Sequence, residues 1–119
     1  MSAETSLYSL LSGAAGVTAL VSTRIYPDVL PVDAVYPSIA FSRANSEPTY
    51  SLGGVYYGTN VELSIGCWSD SRTSADAVAL AVRNAIPGSA FVHTDGPEAA
   101  YDPATHLFAS TITVAFFEV

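Results

Sequence analysis

From Val61 to Trp68 the chain alternates with a period of two: Val61, Leu63, Ile65 and Cys67 fall on one side, Glu62, Ser64 and Gly66 on the other. Successive side chains of a strand point to opposite faces, so this run must bury its apolar half against one layer and turn its polar half away from it. The period then changes. After a turn over Ser69–Ser74 rich in capping residues, Ala75, Val78, Ala79, Val82 and Ile86 recur at three- and four-residue spacing, which predicts a helix over 72–86. Asp76 is placed in its first turn and Arg83 in its last, each suiting the helix dipole. Pro87-Gly88 ends it. A strand with one apolar face followed by an amphipathic helix calls for one sheet covered by one helical layer.

The rest of the chain fits that plan. Leu7, Leu10 and Leu11 lie on one face of a helix over 3–11, which Ser12-Gly13 breaks. A second short helical turn carries Val17, Leu20 and Val21, and Arg24-Ile25-Tyr26-Pro27 leaves it in extended form. Three prolines between Pro27 and Pro37 make that stretch a loop. Ser38 to Ala44 alternates like a strand, with Ile39 and Phe41 together, and Asn45 to Gly54 reads as the tip of a long hairpin with little apolar content. Phe91-Val92 is a candidate short strand, Thr94 to Thr105 reads as an acidic loop, and Leu107 to Glu118 as the last strand. That last strand carries Phe108, Ile112, Val114 and Phe116 on one side and Leu107, Ala109, Ala115 and Phe117 on the other. A strand apolar on both faces needs cover on both, and a neighbouring subunit is the natural second cover. The expected fold is α+β, in the order α-α-β-β-α-(β)-β: an antiparallel sheet of three to four strands with helices on one face and one long hairpin. Residues 1–119 form a single domain.

Charge narrows the partners. Four arginines, no lysine and eleven carboxylates give a formal net charge of −7. Four scattered arginines cannot neutralise a row of phosphates, which argues against nucleic-acid recognition and against an anionic membrane surface. Thr5 to Thr23 is uncharged, yet it follows Glu4 and is interrupted by serines and glycines, so neither a signal peptide nor a spanning helix is expected. Half the residues are apolar and only 13% are charged, the balance of a surface partly covered by partners.

Candidate chemistry is thin. His93, Asp95, Glu98, Asp102 and His106 are of metal-ligand type, but Gly96-Pro97 and Asp102-Pro103 interrupt them and no ligand-loop spacing is present. A small ligand- or metal-binding domain using the stretch 93–106 is therefore the alternative reading. Cys67 sits on the apolar face of a strand, where an inert thiol is expected. No nucleophile elbow, phosphate-binding glycine loop or paired-cysteine site occurs, so no catalytic residue and no cofactor are expected. Tyr50, Tyr56 and Tyr57, grouped with Trp68, make an aromatic patch near the hairpin, of the type enriched at interface cores. Tyr56 and Tyr57, being adjacent, face opposite sides.

Several segments in this order resemble the phage tail completion, or tail-to-head joining, proteins. They are Leu7-Tyr8-Ser9-Leu10-Leu11-Ser12, Gly16-Val17-Thr18-Ala19-Leu20-Val21, Arg24-Ile25-Tyr26-Pro27, Tyr36-Pro37-Ser38-Ile39-Ala40-Phe41, Tyr50-Ser51-Leu52-Gly53-Gly54, and Val61–Trp68 leading into Ser74–Arg83. The resemblance implies a non-enzymatic structural subunit of the virion tail at the head–tail junction, assembled in the host cytoplasm. It implies a homo-oligomeric ring, a hexamer, that stops tail-tube growth and meets the tail tube protein on one side and the head connector or neck protein on the other. Genome DNA passes through without specific binding, and no membrane is involved. Tyr50, Leu52, Tyr56, Tyr57, Leu107 and Phe117 are the candidate interface residues.

Overall fold

The computed structural model describes residues 3–28, 35–87 and 91–118. The elements run α1 (Ala3–Gly13), α2 (Ala15–Val21), β1 (Ile25–Pro27), β2 (Ser38–Tyr50), β3 (Tyr56–Ser69), α3 (Arg72–Ala85), β4 (Val92–Asp102) and β5 (Leu107–Glu118). The strands form one five-stranded sheet in the order β1-β2-β3-β5-β4. All neighbours are antiparallel except β1, which runs parallel to β2 with Ile25 opposite Ile39. The fold is the expected α+β sandwich of helices on one sheet face, with two strands more than the minimum of three read from the sequence.

The core forms where the period-two and period-3.6 patterns meet. Val61, Leu63, Ile65 and Cys67 of β3 are fully withdrawn from water, as are Ile112 and Val114 beside them on β5. Ala75, Val78, Ala79 and Val82 of α3 close over them, with Leu7 and Leu11 of α1 and Val17 and Val21 of α2 completing the layer. Ser71 caps α3 by accepting from the Ser74 amide at 3.2 Å, a contact worth about 1 kcal/mol. Asp76 lies one residue past the first turn where the sequence reading placed it, accepting from Ser110 Oγ at 2.6 Å with Arg72 Nη1 at 3.5 Å. Arg72 ties the same helix end to two strands. Its guanidinium donates to the Ala109 carbonyl at 2.8 Å and the Ala100 carbonyl at 2.6 Å, and sits 5.1 Å over the Phe108 ring.

Three expectations need correction. The stretch from Thr94 to Thr105 is not a loop: β4 covers Val92–Asp102 and only the turn beyond it is irregular. The strand carries no apolar alternation because it is the sheet's exposed edge; pairing with β5, not burial, holds it. Second, the outer face of β5 is less apolar than read, because its centre is Thr111 and Thr113; Ala115 and Phe117 follow toward one end. Third, the long hairpin is present but its tip is shorter than read: Asn45–Tyr50 belongs to β2, and the turn is confined to Ser51–Val55. The loop over 27–37 and the Pro87-Gly88 stop fall partly outside the described residues.

One glycine in the edge strand is required by geometry. Gly96 has φ +91°, and a Cβ there would lie 2.4 Å from the Thr111 carbonyl oxygen. Gly53, in the hairpin turn, would meet only the Ser51 hydroxyl at 3.8 Å. Gly96→Ala is therefore expected to destabilise the domain by about 1–3 kcal/mol in chemical denaturation, whereas Gly53→Ala stays within about 0.5 kcal/mol.

Candidate functional site

β3 has β5 as a neighbour only as far as Thr59, and β2 has β1 as a neighbour only at Ile39–Phe41. Past Pro48 and Thr59 the two strands continue alone, over Thr49–Tyr50 and Tyr56–Gly58, as a short two-stranded ribbon beyond the rest of the sheet. Pro48 is tolerated here because β2 has no outer neighbour needing its missing donor. The ribbon closes in a turn where the Ser51 amide donates to the Val55 carbonyl at 2.8 Å and the Gly54 amide to the Ser51 carbonyl at 3.0 Å. Gly54 takes φ +83°. The Ser51 side chain accepts from the Val55 amide at 3.0 Å and fixes the loop from inside.

At this tip the chain leaves large apolar side chains in water. Tyr50, Val55, Tyr56 and Tyr57 are each at least half exposed, and Leu52 touches nothing in its own chain. Tyr50 and Tyr56 are cross-strand partners and meet edge to face with centroids 5.7 Å apart, so they share a side, while Tyr57 faces the other. From Tyr50 to Gly58 there is no charged residue. The tip is therefore richer in apolar surface than the sequence reading held. Leu52 and the three tyrosines are the interface candidates named from the sequence; Val55, 62% exposed beside them, is the apolar residue that reading did not include. Trp68 does not join this patch. It stands at the far end of β3, its indole lying along the open sheet face against the backbone of Gly66, where a Cβ would come within 2.9 Å of the indole nitrogen.

Of the six candidate interface residues, the structure brings Tyr50, Leu52, Tyr56 and Tyr57 together at the tip. Leu107 and Phe117 occupy opposite ends of β5 on its outer face, Leu107 half-buried and Phe117 about half exposed. That face, shared with Ala40, Ser42, Ser64, Gly66, Thr111 and Thr113, carries no helix among the described residues. A feature with no earlier reading lies on the helical side. An open groove runs between the start of α2 and the end of α3, about 470 Å³ in volume, lined by Ala14, Gly16, Leu80, Ala81, Asn84 and Ala85 among others. Leu80, read from the sequence only as part of a helix, is 53% exposed at its rim. The signal was available: Ala77, Leu80, Ala81 and Asn84 share the helix face opposite Val78 and Val82.

The metal-type residues do not converge. Among the described residues, no three of His, Cys, Asp and Glu stand close enough to hold an ion. Asp102 is occupied in its own turn, accepting from the Ala104 amide and the Thr105 hydroxyl, each at 3.0 Å. His106 Nδ1 lies 3.0 Å from the Tyr101 hydroxyl. Cys67 is enclosed by the core, and burial pushes its thiol up to about 12. No helix among the described residues is long and apolar enough to cross a membrane.

Residues 5–117 match the family described as tail completion protein gp17. The chain belongs to that family. No curated protein sequence matches it. Among solved structures, a chain in the "Virion of native gene transfer agent (GTA) particle" superposes with a TM-score of 0.73 at 18% identity, covering 98% of this chain and 95% of that one; at that identity the likeness establishes a common fold. As a tail completion protein, the chain is a structural component of a phage-like tail that associates with other virion proteins.

Two outcomes check this description. Cys67 in the folded protein is expected to react with a maleimide at pH 8 on the order of a thousandfold more slowly than an exposed thiol, the rate recovering in denaturant. Leu52→Asp is expected to leave the denaturation midpoint of the isolated chain unchanged within about 0.5 kcal/mol, because Leu52 has no intramolecular cover to lose.

Proposed function

We propose that this tail completion protein assembles as a homo-oligomeric ring, a hexamer, at the head-proximal end of the tail. There it ends growth of the tail tube and presents its other side to the head connector or neck protein. The observation that carries this reading is the family match, which takes in all but the ends of the chain. The ribbon supports it: an uncharged, aromatic and aliphatic tip held out in water is the surface composition of an interface core. The uncovered sheet face, with Phe117 at one end, offers a second contact surface. Assembly takes place in the host cytoplasm, and the genome passes through the lumen.

Charge suits a passage better than a grip. Three of the four arginines are engaged within the chain. Arg24 donates to the Pro37 carbonyl at 2.9 Å, Arg43 pairs with Glu4 at 2.6 Å, and Arg72 binds the sheet as described. Few cations are left to hold phosphate, while an acidic lumen repels DNA weakly over a screening length of ~8–10 Å.

The decisive experiment removes the gene from a producing strain. Tails are expected to become polydisperse and overlong and to fail to join heads; tails of normal length would contradict the terminator role. The purified protein is expected to run at six times its 12.4 kDa chain mass in native mass spectrometry. It should show no binding to duplex DNA at micromolar concentration and physiological salt; binding in that range would refute the passive lumen.

A further inference from the structure

Two exposed surfaces of this molecule are free of charge and apolar, and they lie on different elements. One is the ribbon tip with Leu52 outermost. The other is the groove between α2 and α3, walled by alanines and Gly16, with Leu80 at its rim and Asn84 as its polar member. Each copy carries a net charge of −7, so two copies brought together repel unless the surfaces that touch carry no like charges. Both surfaces meet that condition. A branched side chain projects from one, and the other is an open concavity of about 470 Å³.

We propose that the ribbon tip of one copy seats its Leu52 in the groove between α2 and α3 of the next copy. A contact joining two different surfaces of the same chain is heterologous, and when its rotation closes it generates a ring rather than a two-fold dimer. The ribbon gives the reach, since it runs on as two strands after the rest of the sheet has ended. Tyr50 and Tyr56, packed edge to face, stiffen the stem behind the knob. Small residues in the groove let the tip backbone approach closely, and Asn84 can meet the polar backbone of the turn. This rests on the ring reading above and names the contact that closes the ring.

The test uses paired cysteines. Leu52→Cys and Asn84→Cys, both exposed positions, are combined in one chain and treated with a short bismaleimide; native Cys67 is buried and stays out of the reaction. The expected result is a ladder of covalent multimers ending at the ring size from the double variant, and no ladder from either single variant. Leu52→Asp and Leu80→Asp, placed in the otherwise native chain, are each expected to raise the concentration needed for assembly at least tenfold while leaving the circular dichroism spectrum unchanged. Rings that form normally but give no ladder, or rings indifferent to both aspartates, would overturn the tip-in-groove contact and leave the ring standing. A chain that stays monomeric at all concentrations would overturn both.

Discussion

Strand β3 is hydrogen-bonded along both edges, to β2 on one side and β5 on the other, and its inner side chains Val61, Leu63, Ile65 and Cys67 are withdrawn from water altogether. Everything else is placed relative to that strip. Removing such aliphatic side chains from water contributes roughly 1.5–3 kcal/mol each, which no exposed element of this small domain can match. Helix α3 lies over the strip because it follows β3 after a two-residue turn and presents Val78, Ala79 and Val82 at the spacing that meets it. The α1–α2 pair fills the remainder. The centre of the outer face is left to small residues and hydroxyls, with Trp68, Leu107 and Phe117 toward its ends, and the ribbon is what remains of β2 and β3 once their neighbours stop.

The core lies at one end of the long hairpin and the apolar tip at the other, so a substitution at the tip leaves the strip that holds the fold untouched. The Glu4–Arg43 pair joins α1 to β2 two residues past the end of its pairing with β1, where β2 becomes the edge of the sheet. The guanidinium holds the Glu4 carboxyl below its ordinary value. Its stabilising effect is therefore complete above the ordinary carboxylate range and fades as pH falls through the lowered value. A pair this exposed contributes at most about 1 kcal/mol, enough to tie α1 to the sheet edge but not to decide the fold.

Where the chain's pattern reflects burial, the sequence was readable. The alternation of β3 and the 3.6-residue repeat of α3 each match an element, because each is imposed by one apolar face; the break expected at Ser12-Gly13 falls instead at Ala14, with both residues still inside α1. β4 was not readable for the opposite reason. His93, Thr94, Glu98, Ala99, Ala100 and Tyr101 are all exposed, so no period is written into them; the strand exists because β5 offers a free edge. Likewise β1 is three residues whose parallel pairing to β2 leaves no local trace. Of the candidate site, the tyrosines of the tip were legible as aromatics near a turn. Their separation from Trp68 was not, since only the unbroken run of β3 sets the two ends apart. The α2–α3 groove depends on how two helices meet, which neither helix encodes alone.

This tail completion protein is proposed to sit as a ring where the tail meets the head. Imaging assembled particles by electron microscopy with this subunit carrying a density label at its C-terminus tests it directly. The account predicts one ring of label per particle, at the head-proximal end of the tail. Label along the tube, at the distal tip, or absent from finished particles would contradict it.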